Sequence, residues 1–285
     1  MRTFKFLLII ASLVGYLIIG CLLRLFLLWA GPNTFIRALN RLKYYLMQIF
    51  KLIAGLNVTV RGRKDVLKDS GLFIISTHIG YLDGIILGSL VPGTFTTKEE
   101  IRRIPLIGGV VAIGGTIFIN RHEKSKIVHY VDLMADRLRN NINIFNFPEG
   151  HATDGARILP FFSAFFDAPL KTRAPIVPVT INYESADGRP INDRDDICCY
   201  GGRTSIVSHL WNVLKFKSLG VSVFVHDKIE INGFRPDHQG RKSISEMCLQ
   251  RLALITNLPI SQDHPLKSPP RWRPSSIGEQ MPRTD

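Results

Sequence analysis

Patterns that would announce redox, zinc or nucleic-acid chemistry are scarce in this chain. It has four cysteines, Cys21, Cys198, Cys199 and Cys248, and no two are spaced as Cys-x-x-Cys. The adjacent Cys198 and Cys199 lack structural zinc spacing, and so few thiols make a disulfide framework an unsuitable reading. The pattern fits free thiols in a reducing compartment. No Gly-x-Ser-x-Gly occurs, which argues against a serine hydrolase built on a nucleophile elbow. No nucleic-acid-binding motif and no long basic run interleaved with aromatics is present, so nucleic acid is not the expected partner. Acidic residues are also in short supply, 23 against 36 Lys and Arg, for a formal net charge of +13. That excess suits an anionic membrane or a phosphorylated substrate.

What the chain does have begins at its N-terminus. Residues 6–23 are uncharged and apolar, preceded by Arg2 and Lys5; Arg24 interrupts, and apolar residues resume over 25–30. The run is at the lower edge of the roughly 20 residues that cross a bilayer. With Arg24 snorkelling, the segment can span or lie deep in one leaflet. A cleaved signal competes, because Ile18-Ile19-Gly20-Cys21 resembles a lipoprotein cleavage box, but the apolar run continues past Cys21. From Pro32, residues Leu39, Leu42, Leu46, Ile49, Phe50 and Ile53 recur at helical spacing among Arg37, Arg41, Lys43 and Lys51. Such a basic amphipathic helix lies on a lipid surface or packs on a globular domain, and the sequence leaves both open.

Beyond residue 57, short apolar runs alternate with helical patterns. Strands are expected at 72–75, 116–119, 142–147, 176–183 and 221–225, with helices after Asp83, over 123–139 and over 243–254. Alternation of this kind predicts an α/β domain with a parallel or mixed sheet flanked by helices. The expected organisation is a hydrophobic membrane segment (1–31), a basic amphipathic helix (32–56), a catalytic domain (57–257) and a flexible, proline-rich tail (258–285).

The expected strand at 72–75 leads into His78-Ile79-Gly80-Tyr81-Leu82-Asp83. A histidine and an aspartate five apart do not share a helix face, so they meet only if the intervening residues turn, which Gly80 favours. A carboxylate on one ring nitrogen fixes the tautomer and makes the other nitrogen a general base. Alone, this spacing is common by chance. Here it is followed by Gly115-Thr116-Ile117-Phe118-Ile119-Asn120-Arg121, then Phe147-Pro148-Glu149-Gly150, then Pro175-Ile176-Val177-Pro178-Val179. Over residues 57–183 this order and spacing resembles the glycerolipid acyltransferase family, which includes bacterial 1-acylglycerol-3-phosphate acyltransferases. The segment from Lys98 to Gly108 also looks like the family's stretch between the first two motifs.

The resemblance implies the glycerolipid acyltransferase fold and a set of roles. His78 would be the base and Asp83 its partner. Gly115 and Arg121 would shape and charge the acceptor site, with Lys98 a further candidate. Phe147, Pro148, Glu149 and Gly150 would surround the acceptor's polar groups, and Pro178 would lie near the acyl donor. It further implies no metal or cofactor, acyl-CoA or acyl-carrier protein as donor, a lysophospholipid acceptor and membrane lipids as partners. The expected location is the cytoplasmic membrane, with the catalytic domain facing the cytoplasm.

The chain departs from the family after Gly150, where His151-Ala152-Thr153 replaces the frequent Thr-Arg-Ser, and Asn120 stands where aspartate is common. The missing arginine is a candidate phosphate ligand, for which Arg157 or Lys98 would have to substitute. Residues 153–161, Tyr200-Gly201 and His209-Leu210-Trp211 resemble a branch that acylates lyso-ornithine lipid as well as lysophosphatidate. Lysophosphatidate is the first expectation and lyso-ornithine lipid the alternative. Rival chemistries are a thiol nucleophile at Cys198 or Cys199 and a metal site made by His78, Asp83 and Glu149; a non-catalytic lipid-binding protein is a rival of another class.

Overall fold

The computed structural model describes residues 1–27, 29, 31–120, 123–191 and 205–262. Two long helices come first, α1 (Arg2–Phe26) and α2 (Pro32–Ala54). The following segment holds β1 (Leu56–Gly62), β2 (Phe73–Ser76), α3 (Tyr81–Gly88), β3 (Thr94–Lys98), α4 (Ile107–Ile113), β4 (Ile117–Ile119), α5 (Ile127–Arg139) and β5 (Ile144–Asn146). The rest of the fold comprises α6 (Asp167–Thr172), β6 (Ile176–Ala186), β7 (Arg189–Pro190), α7 (Ile206–Val213), β8 (Leu219–Val225) and α8 (His238–Thr256).

The strands form one mixed sheet in the order β1-β8-β6-β2-β5-β3-β4, with β7 against β6. From β6 to β4 the neighbours are parallel, whereas β8 runs antiparallel to β6 and parallel to β1. The expected α/β class holds. β2 is Phe-Ile-Ile-Ser and is buried throughout, as a strand with neighbours on both sides and helices over both faces must be. Alternation sends Ile74, Phe145, Val177 and Val179 to one face, against Ile9 of α1, Phe50 and Ala54 of α2, Leu82 and Ile86 of α3 and Val213 of α7. Phe73, Ile75, Ile144 and Ile176 meet the other layer, Met134 of α5, Leu170 of α6 and Ile244 and Leu252 of α8.

Two expectations need adjusting. The helix placed after Asp83 begins at Tyr81, so Asp83 sits in its first turn. The last helix begins at His238, where the Asp237 carboxylate accepts from the Gly240 amide at 2.8 Å and caps it. β3, with the sequence Thr-Phe-Thr-Thr-Lys, carries no apolar run, and its pairing with β4 and β5 makes it a strand.

α1 has one side on the protein. Ile9, Tyr16 and Gly20 are buried, and a Cβ on Gly20 would come within 3.0 Å of Ile113 in α4. Its first turn is tied down by Arg2, which donates to Asn212 Oδ1 at 3.0 Å and lies over the Trp211 ring, and by Lys5, which donates to the Phe216 carbonyl at 2.8 Å. The other side leaves Phe4, Leu7, Ile18, Leu22, Leu25 and Phe26 exposed. α1 is the one helix among the described residues that is long and apolar enough to cross a membrane. α2 adds exposed Tyr45, Ile49 and Leu52, while Leu39, Leu46 and Phe50 face inward.

Candidate active site

β2 and β5 are parallel neighbours, with Ile75 opposite Asn146, so the segments leaving them emerge together at the carboxyl edge of the sheet. One delivers His78 and the other Phe147 to Gly150. The His78 and Phe147 rings stack, with centroids 4.1 Å apart and planes at 21°. His78 Nδ1 is 2.9 Å from Asp83 Oδ2. The turn between them is closed by the carboxylate itself, which accepts from the Ile79 amide at 2.7 Å and the Gly80 amide at 3.0 Å. Gly80 is fully extended, with φ −179°, so the left-handed freedom of glycine is not what makes this turn. Asp83 Oδ1 accepts from the Tyr183 hydroxyl at 2.7 Å. A buried carboxylate needs such partners, and here three donors meet Oδ2 and one meets Oδ1. Because Asp83 accepts at Nδ1, that nitrogen carries the ring proton and Nε2 is left as a proton acceptor.

The backbone of His78 is clamped on both sides by the loop after β5. Its amide donates to Glu149 Oε1 at 2.8 Å, and its carbonyl accepts from the Thr153 amide at 2.8 Å. The second Glu149 oxygen accepts from the Leu159 amide at 2.8 Å. Glu149 is fully buried, and burial pushes its carboxyl up to about 8 against the opposing pull of those two amides. Gly150 has φ +70°, a conformation that disfavours a side chain, and its amide closes a turn onto the Phe147 carbonyl at 2.9 Å. A cavity of about 360 Å³ lies beside the pair, lined by Thr77, Ile79 and Asp83, by Thr153, Gly155 and Arg157, by Thr180 to Asn182 of β6 and by Ile255, Thr256 and Leu258.

Three comparisons bear on this arrangement. A family model described as Acyltransferase matches residues 57–182. The lyso-ornithine lipid O-acyltransferase of Rhodobacter capsulatus is 31% identical over 203 residues, covering 69% of this chain and 68% of that protein. The chain belongs to the acyltransferase family. The 1-acyl-sn-glycerol-3-phosphate acyltransferase of Neisseria gonorrhoeae is 26% identical over 172 residues, or 60% of this chain and 66% of the relative. The crystal structure of the 1-acyl-sn-glycerophosphate acyltransferase from Thermotoga maritima superposes with a TM-score of 0.54 at 19% identity, covering 90% of this chain and 98% of that one, which shows a shared fold. The chain is thus an acyltransferase of the glycerolipid type.

In this acyltransferase the residues singled out from sequence fall into three groups. His78, Asp83, Phe147, Pro148, Glu149 and Gly150 come together at the sheet edge. Glu149 accepts from the His78 and Leu159 amides and is sealed from solvent, so it braces the backbone of His78 where contact with the acceptor was expected. Pro148 is buried, and its carbonyl accepts from Phe162. Pro178 is likewise buried, opposite Ile75 in the β2–β6 ladder, two residues before Thr180 reaches the cavity.

Lys98 and Gly115 lie apart from the pair. Lys98 is exposed at the carboxyl end of β3, two strands from β2. Gly115 precedes β4 and therefore sits at the opposite edge of the sheet. There, with φ +69°, it lines a separate cavity of about 460 Å³ with Arg102, His129 and Arg137. Arg121, Cys198, Cys199, Tyr200 and Gly201 lie outside the described residues. Tyr183 and Thr153, which hold Asp83 and His78, were missed as site residues. A tyrosine at the end of an apolar strand was the available signal for the first; the second stood out in the sequence only as a departure just after Gly150.

Proposed function

We propose that this enzyme transfers a fatty acyl group from a thioester of CoA or acyl-carrier protein to the sn-2 hydroxyl of 1-acylglycerol-3-phosphate, giving phosphatidate. The observation that carries this reading is the oriented imidazole: Nδ1 is held by Asp83, the backbone is fixed at both ends and Nε2 is left to accept a proton. In the proposed reaction Nε2 takes the hydroxyl proton as the oxygen attacks the thioester carbonyl carbon. The C–O bond forms, the C–S bond breaks, and the departing thiolate takes the proton from the imidazolium. A positioned base of this kind contributes about 10²–10⁴-fold. No covalent acyl-enzyme is required, because the thioester is already activated; no metal or cofactor enters this scheme.

The exposed apolar side of α1 supports placement of the enzyme on a membrane, with a lipid acceptor reaching the site from the bilayer. The cytoplasmic face of the inner membrane is the side on which the proposed donors occur. Lyso-ornithine lipid is a second acceptor reading. It is favoured by the loss of the arginine after Gly150 and by the name of the Rhodobacter relative.

The test incubates purified protein in lipid vesicles with labelled acyl-CoA or acyl-carrier protein and, side by side, lysophosphatidate and lyso-ornithine lipid. A His78→Ala variant runs in parallel. Phosphatidate formed by the wild type and lost in the variant supports the reading; exclusive use of lyso-ornithine lipid replaces it with the second. Binding of lysolipid without turnover under any combination would instead support a non-catalytic lipid-binding protein.

A further inference from the structure

We propose that α4, with the turn that precedes it, is a lid hinged at Leu106 that lets the lipid acceptor pass from the bilayer to His78. The inference rests on the acyl-transfer reading above and assigns the acceptor's path to that site.

The position comes first. α3 follows β2 and α4 follows β3, and these two strands flank β5. Both helices therefore start at the carboxyl edge of the sheet, on either side of the segment that begins with Phe147. α4 stands against α1: a Cβ on Gly109 would come within 3.6 Å of Leu17, and one on Gly20 within 3.0 Å of Ile113. Phe147, stacked on His78, packs into the layer that holds α1 and α3. A lipid that enters between the starts of α3 and α4 thus meets the Phe147 side of the base.

The segment has two chemical parts. α4 reads Ile-Gly-Gly-Val-Val-Ala-Ile, without a polar side chain, yet Gly108 alone is buried in it; Gly109 and Ala112 are exposed and the rest are half-buried. A helix that is apolar all round belongs in a core or in lipid, and this one extends the uncovered apolar side of α1. The turn before it, Glu99–Arg103, exposes Arg102 and Arg103, cations suited to an anionic lipid surface.

The hinge is where the backbone is strained. Leu106 has φ +62° and ψ −53°, and the Ile107 amide donates across it to the Pro105 carbonyl at 2.7 Å. This is a γ-turn of the rare, strained hand, held here by a leucine. The next turn is as tight: a Cβ on Gly108 would lie 2.1 Å from the Arg102 carbonyl oxygen. At its other end α4 runs into Gly114 and Gly115, the latter at φ +69°. A short helix with a strained turn at one end and two glycines at the other can swing as a unit, and opening relieves the strain that closure holds. His78 keeps 22% of its side chain exposed with α4 in place, so closure shuts the path from lipid and leaves the base open to water.

The experiment uses the full chain in lipid nanodiscs, with Cys21, Cys198 and Cys199 changed to serine. Leu17→Cys and Gly109→Cys are added and joined by a short bis-maleimide, the unlinked pair serving as the reference. Acyl transfer is measured to the lysolipid that the assay above selects, once as a long-chain form in the bilayer and once as a hexanoyl form dissolved in water. Linking is expected to lower transfer to the bilayer acceptor about tenfold and to leave the dissolved one unchanged. Equal transfer before and after linking overturns the proposal and leaves α4 as a fixed lipid contact. Equal loss for both acceptors also overturns it, since the link then harms the site. A second readout needs no turnover: the distance distribution between spin labels at Ala112→Cys and Gln250→Cys, both exposed positions, with and without lysolipid in the nanodisc. Lysolipid is expected to shift or broaden that distribution, and an unchanged one overturns the lid. A shift in a protein with no acyl transfer to any acceptor would leave the lid standing and remove the catalytic reading.

Discussion

At the scale of single residues, the proposed reaction asks His78 to take the proton and Asp83, Tyr183 and Glu149 to hold His78 in place. His78→Ala is expected to lower kcat by about 10²–10⁴-fold in the vesicle assay with little change in the thermal unfolding midpoint. Tyr183→Phe removes the hydroxyl that donates to Asp83 Oδ1. A hydrogen bond to a charged group is worth about 1.5–3 kcal/mol, so kcat should fall roughly 10- to 100-fold, and an unchanged kcat would show that Asp83 does not need this donor. Glu149 predicts a pH effect. Its carboxyl ordinarily titrates at 4.5 and stands at about 8 in the fold, raised mainly by burial. Between those values the folded protein holds a proton that the unfolded chain has released, so stability falls as pH rises from 4.5 through about 8. Glu149→Gln should flatten that slope in denaturant titrations. It should also cost activity, because a carboxamide offers one acceptor oxygen where His78 and Leu159 each need one.

At the scale of elements, α2 carries a buried lysine that the sequence reading had placed among the charges of a basic amphipathic helix, on lipid or on the globular domain. Lys43 donates to Asn40 Oδ1 at 2.9 Å and to the Gly114 carbonyl at 3.0 Å, joining α2 to the turn before β4. Burial lowers its pKa from 10.5 to about 7. Between those values the unfolded chain binds the extra proton, so this group makes stability rise with pH from about 7 to 10.5. Lys43→Met removes that rise and leaves the Gly114 carbonyl unpaired, at a cost of about 1–3 kcal/mol. Unfolding midpoints at pH 8 and pH 10 for wild type and variant check both effects.

The same elements show how much could be read in advance. The His78-to-Asp83 turn, the Phe147-to-Gly150 segment and the strands behind them were legible because their periods and punctuation are local. Gly115 was grouped with them by spacing, yet a strand delivers its two ends to opposite edges of a sheet, and Gly115 stands at the wrong end of β4. Thr153 stood out only as a departure after Gly150; its contact, amide and hydroxyl both donating to the His78 carbonyl, joins two segments 75 residues apart that no local pattern pairs.

At the scale of the whole molecule, the proposed placement on a bilayer offers two separable attachments, apolar area and positive charge. Removing residues 1–31 takes away the exposed Phe4, Leu7, Ile18, Leu22, Leu25 and Phe26 but leaves most of the basic residues behind. The shortened protein should sediment with anionic vesicles at low salt and release at high salt, since surface attraction decays within a Debye length. The full chain should stay bound at both. Release of both at high salt would assign attachment to charge alone.

The sheet order also dictates a timetable for synthesis. β1 has β8 as its partner, with Leu56 opposite Leu219 and Gly62 opposite Val225, and β8 also covers the flank of β6. While the ribosome is still making residues 63–218, β1 has nothing to pair with and β6 is an open edge. A chain stalled before β8 therefore exposes two unpaired strands beside the apolar side of α1, the condition under which edges recruit other chains.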